Sequence, residues 1–248
     1  MGDAISDLKQ LIAGRRHAVI FTGAGISTES GIPDFRSPGG IWTKNQPIQF
    51  QDFMASEDAR RETWRRKIET DKVMLQAKPN KGHLAIAKLM HRGTVRHLIT
   101  QNIDGLHQMG GAPAERVIEL HGNATYASCV SCGERFELEP IKQVFAADGT
   151  LPVCDCGSPV KTATISFGQQ MPQEPMQRAG EAANACDLFI AVGSSLVVYP
   201  AAGFPLIAKQ AGARLVIINR DPTDQDQFAD LVINAEIGPT LSKIVPLD

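Results

Sequence analysis

The sequence lacks both an apolar run long enough to cross a membrane and a recognisable export signal. No hydrophobic stretch approaches the about 18 residues of a membrane-spanning helix, and the polar start Met1-Gly2-Asp3-Ala4 has no signal-peptide core. We therefore expect a cytoplasmic protein. Charge of either sign is also not in excess, since the formal net value is -2. Bulk charge thus favours neither nucleic acid nor a membrane surface as a partner.

Cysteine is scarce, at 5 residues in 248, and in a reducing compartment these residues are not expected to form disulfides. Four of the five lie within one short window of the chain: Cys129, Cys132, Cys154 and Cys156. Four thiolates are enough to close a tetrahedral zinc site and leave no open position for a substrate. The cluster therefore predicts a structural metal and not a catalytic one.

The chain shows neither an internal repeat nor a low-complexity linker. Instead, short runs rich in Val and Ile each end in small or polar residues, at His17 to Thr22, Val95 to Thr100, Leu188 to Val192 and Arg214 to Ile218. Such runs are typical of strands buried on both faces. Helical patterns over Asn80 to Arg92 and Ala201 to Ala211, the latter interrupted at Pro205, fit crossovers between parallel strands. An α/β fold is predicted, with a parallel sheet covered by helices.

Two stretches interrupt this alternation of strands and helices. Ile32 to Pro79 has no strand pattern and carries five cations on a predicted helix, namely Arg60, Arg61, Arg65, Arg66 and Lys67. A solvated helix face is favoured for them over a binding patch. Gly122 to Phe167 contains the four clustered cysteines, and we interpret it as a small zinc module inserted into the larger domain.

Small and polar residues follow each predicted strand of the sheet. The segments are Gly23-Ala24-Gly25-Ile26-Ser27-Thr28, Gln101-Asn102-Ile103-Asp104, Gly193-Ser194-Ser195 and Asn219-Arg220-Asp221. Ligands of open parallel sheets bind outside the carboxyl ends of the strands. Glycines permit close approach to phosphate, and hydroxyls and amides supply hydrogen bonds to phosphate and ribose oxygens. A nucleotide is the natural ligand of such a set.

A conventional hydride-transfer site is disfavoured. The third glycine of the dinucleotide fingerprint is replaced by Thr28, and the acidic residue expected about 20 residues on has no counterpart. Gly31 to Ser37 places Pro33 where a standard Rossmann unit would already be helical. The segment predicts a lid-like loop that carries Phe35 and Arg36, with an ordinary structural turn as the alternative.

These motifs together resemble the sirtuins, the NAD-dependent protein deacylases. The matching blocks occur in the family's order from the first strand to Asn219, and they include His121-Gly122, the cysteine quartet and Phe167-Gly168. The resemblance implies one catalytic domain over residues 1–248. Its large Rossmann-like part would comprise about 1–35, 80–121 and 167–248, and its small part the helical cofactor-loop segment 36–79 and the zinc module 122–166.

The resemblance implies that NAD is consumed as a co-substrate. The acyl oxygen of an acyl-lysine would attack the anomeric carbon of the nicotinamide ribose, and nicotinamide would leave. Deprotonating a ribose hydroxyl then requires a base with a pKa near neutral, and His121 follows a short predicted strand, Arg116 to Leu120. His121 is therefore expected to be the general base, while the other five histidines are expected to be structural.

The resemblance also assigns roles within the second polar segment. Asp104 would hold the nicotinamide carboxamide, Asn102 would orient the ribose or a water, and Gln101 would help to hold the ribose. The alternative for Asp104 and Asn102 is simple capping of a helix that starts near Gly105. The other expected cofactor contacts are Gly23, Ala24, Gly25, Ser27, Asp34, Phe35, Arg36, Ile103, Gly193, Ser194, Ser195, Asn219 and Arg220.

For the substrate, the family pattern implies a peptide clamped as a strand between Ser166 to Gln169 and Leu196 to Tyr199. Ile165, Phe167 and either Val197 or Val198 would form the apolar tunnel for the lysine stem, with Gly168 as a further substrate contact and plain core packing as the alternative. One structural zinc is implied at the four cysteines. The second pair, Cys154 and Cys156, has one intervening residue where the family usually has two.

The acyl group is expected to be uncharged. Family members that remove succinyl or malonyl groups carry a Tyr-x-x-Arg pair after the cofactor loop, and the nearest equivalent here is Trp64-Arg65-Arg66-Lys67. Deacetylation of a lysine in a substrate protein is therefore predicted. The protein is also expected to be a monomer and to bind neither nucleic acid nor a membrane. Two alternatives remain open, a mono-ADP-ribosyltransferase that uses the same cleft and a non-catalytic sensor of NAD or ADP-ribose.

Overall fold

The computed structural model describes residues 2–34 and 46–246. Its strands are β1 (Ala18–Thr22), β2 (Val95–Thr100), β3 (Val117–Glu119), β4 (Gly122–Cys129), β5 (Arg135–Phe136), β6 (Val160–Thr164), β7 (Leu188–Val192), β8 (Arg214–Ile218) and β9 (Leu231–Ile233). The four long predicted strands are confirmed, and only the first differs, because it begins at Ala18. Every residue of β1 and β7 is buried, as their uninterrupted apolar pattern requires.

Six of these strands form the main sheet, in the order β3-β2-β1-β7-β8-β9, and all neighbouring pairs are parallel. When the six are numbered successively, this is the doubly wound order 3-2-1-4-5-6. The chain direction across the sheet therefore reverses between β1 and β7. A crevice is expected at that point, outside the carboxyl ends of the two strands.

Some of the helices cover both faces of the main sheet. The described helices are α1 (Gly2–Ile12), α2 (Phe50–Ala55), α3 (Glu57–Met74), α4 (Lys81–His91), α5 (Leu106–Met109), α6 (Leu138–Asp148), α7 (Gln173–Ala185), α8 (Phe204–Gln210) and α9 (Ile237–Ile244). The apolar sides of α1, α4 and α9 pack on one face of the sheet, and those of α7 and α8 pack on the other. This arrangement confirms the α/β class, and it explains why the strands lack polar alternation.

The prediction that Pro205 interrupts a helix over Ala201 to Ala211 is wrong. The chain forms a short 3-10 turn over Ala201–Gly203, and α8 then begins at Phe204 with Pro205 in its first turn. A proline is tolerated there because the first N–H groups of a helix have no intrahelical acceptor. Pro205 thus starts the helix.

The cysteine-bearing stretch forms a separate small sheet, with the antiparallel order β5-β4-β6, and α6 packs beside it. Trp64 of α3 is 1% exposed and lies in the same apolar cluster as Ala127, Leu138 and Val160. The indole therefore joins the helical segment to the cysteine module. The interpretation of residues 122–167 as a compact inserted module agrees with this packing.

The cations of α3 serve the scaffold. Arg60 donates to the carbonyls of Phe53 and Met54 at the end of α2, both at 3.0 Å. Arg61 donates to the carbonyl of Gly149. Arg65 and Arg66 both pair with Glu62, at 2.6 Å. Local partners for these cations favour the solvated, structural interpretation of this helix face over a binding patch.

A buried charge cluster ties α3 to the cysteine module. Nζ of Lys67 donates to Asp71 and to the carbonyl of Ala124 at 2.8 Å, and Nζ of Lys142 in α6 lies 3.2 Å from the other carboxylate oxygen of Asp71. Burial lowers the pKa of Lys67, and the bond to Asp71 opposes that shift. Asp71 therefore holds two lysines from separate helices.

None of the described helices combines the length and the apolar character needed to cross a membrane.

Candidate active site

A cavity of about 480 Å³ lies at the carboxyl ends of the main-sheet strands. Segments that follow β1, β2, β7 and β8 all line it, because parallel strands bring their carboxyl ends to one edge. The volume is within the range of small-molecule sites. Of the predicted site residues, these line the cavity: Gly23, Ala24, Gly25, Asp34, Gln101, Asn102, Ile103, His121, Ile165, Phe167, Gly168, Gly193, Ser194, Ser195, Val198, Asn219 and Arg220.

Three of the predicted residues that the structure describes do not line the cavity. Ser27 is buried and Asp104 is half-buried, and they bond to each other and, through Ser27, to Asn102, which lines the cavity. Val197 is 40% exposed and lies away from the cavity wall. Phe35 and Arg36 lie outside the described residues.

The loops after β1 and β7 touch through their backbones. The N–H of Gly25 donates to the carbonyl of Gly193 at 2.8 Å. Gly193 has a φ of 62°, and a Cβ added there would lie 2.5 Å from the nitrogen of Ile26. A Cβ on Gly25 would lie 2.8 Å from the Cα of Gly193. Only glycine fits this contact, which leaves bare backbone as a cradle for a phosphate.

His121 stands at the cavity wall, two residues after β3 ends. Its Nδ1 lies 3.1 Å from the carbonyl oxygen of Gln101. Because a carbonyl only accepts, Nδ1 carries the hydrogen, and the neutral ring leaves Nε2 as a free base. Burial lowers the pKa of His121, and the bond to Gln101 offsets part of that shift. At neutral pH the ring is therefore unprotonated at Nε2 and able to accept a proton.

The small sheet anchors the backbone at and next to His121. Gly122 has a φ of 73°, and a Cβ there would lie 2.0 Å from the carbonyl oxygen of Ala163. The carbonyl of His121 itself accepts from the N–H of Ile165 at 2.8 Å. The small sheet thus begins immediately after the histidine, and the residue that follows β6 bonds to the backbone carbonyl of the histidine.

Hydrogen bonds organise the polar side of the cavity. The side-chain amide of Gln101 donates to Oγ of Ser194 at 2.8 Å, which links the loops after β2 and β7. The amide of Asn102 donates to the carbonyl of Gly23 at 3.0 Å and to Oγ of Ser27 at 3.2 Å. Asn102 is only 7% exposed. Its orientation is therefore set by the first loop.

Asp104 makes both a capping bond and a bond toward the site. One carboxylate oxygen accepts from the N–H of Leu106 at 2.9 Å, at the start of α5. The other accepts from Oγ of Ser27 at 2.7 Å, and Ser27 in turn contacts Asn102. The capping alternative thus describes a real interaction of Asp104, and it leaves the second oxygen to support the cavity wall.

The other side of the cavity is apolar. Ile165, Phe167, Met171 and Val198 line it, and Phe167 and Tyr199 are 40% and 67% exposed. The carbonyl of Phe167 accepts from the N–H of Phe50 at 2.8 Å, which ties this segment to the start of α2. An apolar wall open to solvent suits a neutral side chain presented by an extended peptide.

Several lining residues were not predicted from the sequence. They are Thr164, Met171, Pro200, Ala235, Glu236 and Ile237. Ala235 and Glu236 follow β9, and Ile237 begins α9. The available signal was a short run of three apolar residues, Leu231 to Ile233, followed by a polar segment. The rule used for the other strand ends applies here as well, but a run of three residues is too short to be recognised as a strand.

Charged groups are few in the cavity. Among the described lining residues they are Asp34, Arg220, Asp221 and Glu236, besides His121. Nη2 of Arg220 lies 3.0 Å from Asp221, so an acidic neighbour already compensates this guanidinium. The described part of the cavity therefore offers an anionic acyl group no uncompensated cation.

The four clustered cysteines fit one tetrahedral metal ion. Their Sγ atoms all lie within 4.8 Å of one another, and two pairs, Cys129 with Cys156 and Cys132 with Cys154, are 3.5 and 3.6 Å apart. A tetrahedron with Zn–S bonds of about 2.3 Å places the sulfurs about 3.8 Å apart. The single residue between Cys154 and Cys156 does not prevent convergence. None of the four lines the cavity, which agrees with a structural role.

Comparison with known proteins gives concordant matches. A model of the Sir2 family matches residues 23–200. NAD-dependent protein deacetylase 1 of Bradyrhizobium diazoefficiens is 59% identical over 245 residues, which cover 99% of this chain and 94% of that protein. The NAD-dependent protein deacetylase of Rhodopseudomonas palustris is 56% identical over 246 residues, which cover 99% of this chain and 97% of that protein.

Solved structures resemble the chain over nearly its whole length. A Sir2 protein with a p53 peptide and NAD+ is 38% identical, with a TM-score of 0.86 and coverage of 97% of this chain and 96% of that one. A Sir2 variant with a deacetylated p53 peptide and 3'-O-acetyl-ADP-ribose is 39% identical, with a TM-score of 0.88 and the same coverage. By family model, sequence identity and fold, the chain belongs to the Sir2 family, the sirtuins.

Proposed function

We propose that this chain is an NAD-dependent protein-lysine deacetylase, which releases nicotinamide, O-acyl-ADP-ribose and a free lysine. The observation that carries the proposal is the free Nε2 of His121 at the wall of a cavity with a bare backbone cradle on one side and an apolar wall on the other. The relatives at 59% and 56% identity are NAD-dependent protein deacetylases, which supports the same activity here.

Different residues of the cavity would bind NAD and transfer the proton. The Gly23 to Gly25 and Gly193 to Ser195 loops would bind the phosphates of NAD, through backbone groups that no Cβ obstructs. When bound, NAD supplies the electrophilic anomeric carbon and the nicotinamide leaving group. Nε2 of His121 would accept the proton of a ribose hydroxyl, and the Gln101 carbonyl at Nδ1 would stabilise the charged ring.

The polar segment after β2 would position the ribose and the nicotinamide. Asn102 reaches the cavity with its amide fixed by Gly23 and Ser27, and Gln101 is fixed by Ser194. We propose that Asp104 acts on the nicotinamide carboxamide only after a local rearrangement, because in the structure described it bonds to Ser27 and Leu106 and does not line the cavity.

We further propose that the acyl group is uncharged, with acetyl as the reference substrate. Trp64 is buried in the module core, and Arg65 and Arg66 pair with Glu62, so this part of α3 sends no cation into the cavity. Acetylated and succinylated forms of one peptide should be compared at equal concentrations. Turnover of the acetylated peptide is expected to be at least about tenfold faster than that of the succinylated peptide. The reason is that the succinyl carboxylate would lack a charge-assisted contact in the cavity. Comparable turnover would refute this preference.

The competing function is mono-ADP-ribosyl transfer in the same cleft, in which a protein nucleophile captures the ribose. Mass spectrometry separates the two activities after incubation of NAD with an acetylated peptide. Deacylation yields acylated ADP-ribose and a peptide lighter by one acetyl group. Attachment of ADP-ribose to protein without acylated ADP-ribose would support the transferase. No nicotinamide release at all would support a sensor of NAD or ADP-ribose.

The remaining properties are proposals of the same kind. One catalytic domain would comprise a large part (about 1–35, 80–121 and 167–248) and a small part (36–79 and 122–166), with one structural zinc in the latter. Acylated lysines of other proteins would be the partners. We also propose a cytoplasmic monomer without affinity for nucleic acid. The net charge of -2 and the local pairing of the α3 arginines support the last of these properties. Light scattering tests the monomer.

A further inference from the structure

Two buried histidines lie next to the polar segment without lining the cavity. His83 of α4 and His107 of α5 are 0% and 1% exposed, and their ring centroids are 4.9 Å apart. Burial lowers the pKa of His83 to about 4, against an opposing effect of Asp104. Burial also lowers the pKa of His107 far below its ordinary value, and His83 adds to that effect. Both rings are therefore neutral at pH 7.

The hydrogen-bond partner of His83 determines which of its nitrogens carries the hydrogen. Its Nδ1 lies 3.3 Å from the backbone N–H of Asn80, which donates to it as part of the cap of α4. Nδ1 is therefore unprotonated, and the hydrogen of the neutral ring is on Nε2. Nε2 is buried and has no partner among the described residues. His83 thus presents a buried donor.

His107 presents the complementary atom. Its Nε2 lies 2.9 Å from Oγ1 of Thr22, and that hydroxyl donates to Oγ1 of Thr100 at 2.8 Å. Because the single hydroxyl hydrogen of Thr22 is used, its oxygen must accept from Nε2–H of His107. Nδ1 of His107 is then a bare acceptor, which is also buried and without a partner in the described part of the chain. A donor on one ring and an acceptor on its neighbour can satisfy each other through one bridging water.

These bonds end at the cavity. Oγ1 of Thr100 also accepts from the backbone N–H of Asn102 at 3.0 Å. A continuous series of hydrogen bonds therefore leads from His107 through Thr22 and Thr100 to the backbone of Asn102, and the ring of His83 packs against its first member. The Asn102 amide is in turn held by Gly23 and Ser27. Movement at the histidine pair would tilt this asparagine relative to the ligand.

We propose that His107, backed by His83, is a positioning residue for Asn102 and acts through the hydroxyls of Thr22 and Thr100. The inference rests on the proposed deacetylase function, because Asn102 would orient the ribose or a water. His107 touches no reacting atom, so its effect is on the geometry of the Michaelis complex. A misplacement of about 1 Å at such a site can slow turnover up to about a hundredfold.

The kinetic test compares three variants with the full-length wild type on NAD and an acetylated peptide. His107→Leu keeps the bulk and removes both hydrogen bonds, so kcat should fall about tenfold while KM for the peptide stays near the wild-type value. His107→Gln retains a donor for Thr22 and an acceptor for His83, and it should recover most of kcat. His97→Leu, in β2 but away from the cavity, is the control and should behave as wild type.

A spectroscopic measurement on the wild type does not depend on activity or on the stability of a variant. Nitrogen-15 NMR of histidine-labelled protein at pH 7 should show His83 and His107 neutral, each with its hydrogen on Nε2. Wild-type kcat in His107→Leu, an equal loss in His107→Gln, or a hydrogen on Nδ1 of either ring would overturn the proposal. A wild type that does not deacylate would instead overturn the proposed function.

Discussion

At the scale of the residue, the bond between Nδ1 of His121 and the Gln101 carbonyl determines how the histidine can react. The bond makes Nε2 the basic nitrogen, and the buried position disfavours the charged ring. The sequence could place His121 after a strand but could not show which nitrogen is free, since that depends on a carbonyl 20 residues away in the chain.

The pH dependence of kcat/KM follows from this environment. A general base must be unprotonated, and burial lowers the pKa of His121 below the ordinary value of 6.5. Activity should therefore be constant near neutral pH and fall on acidification, with a midpoint below 6.5. Initial rates at low concentrations of both substrates, from pH 5 to pH 8, would show it. A midpoint above 6.5 would contradict the assigned environment.

Residue-level prediction from sequence was best for backbone roles and weakest for side-chain direction. Gly25 and Gly193 were expected at the cavity, and their close contact needs glycine whatever the surroundings. Ser27 and Asp104 were expected to contact the ligand, but they bond to each other beneath Asn102. Adjacent positions in an irregular loop point in directions that no sequence periodicity encodes.

At the scale of the element, the long strands of the main sheet were predictable because burial on both faces imposes an apolar run. The Ala201 to Ala211 helix was predictable only in part. Proline is disfavoured inside a helix and favoured in its first turn, so the location of the true start decides how Pro205 is interpreted. The preceding 3-10 turn was not visible in the pattern.

The attachment of α3 to the cysteine module depends on a buried carboxylate. Asp71→Ala would remove the carboxylate partner of the buried Lys67 and leave Lys142 with Glu139 alone, and it should reduce the free energy of unfolding by about 3–5 kcal/mol. Glu69→Ala in the same helix removes an exposed pair with Lys72 and should cost less than about 1 kcal/mol. Urea unfolding monitored by tryptophan fluorescence and circular dichroism measures both. Equal effects of the two substitutions would contradict the role of Asp71.

The cysteine quartet gives a second prediction for an element. Cys132→Ser should reduce bound zinc well below one ion per chain and lower the melting temperature, because a structural zinc contributes directly to folding. Cys186→Ser is the matched control, since Cys186 lies outside the cluster and should leave zinc content unchanged. Elemental analysis of the purified proteins gives the stoichiometry. Full zinc content in Cys132→Ser would contradict the assignment.

At the scale of the whole molecule, the cavity exists because the strand order reverses between β1 and β7. The sequence predicted that the strand-end segments would meet, but not that the segment after β9 would complete the wall. That strand has three residues, too few for a periodicity to be recognised. The Sir2 fold thus assembles its ligand cavity from both ends of the chain, with the cysteine module attached beside it.

The central claim is that His121 is the general base of an NAD-dependent deacetylation in this cavity. The most direct test is the rate at which O-acetyl-ADP-ribose and free lysine form from NAD and an acetylated peptide, for the wild type and for His121→Ala. Loss of a general base should slow the reaction by about a hundredfold or more, while circular dichroism should show an unchanged fold. Equal rates from the two proteins would contradict the account.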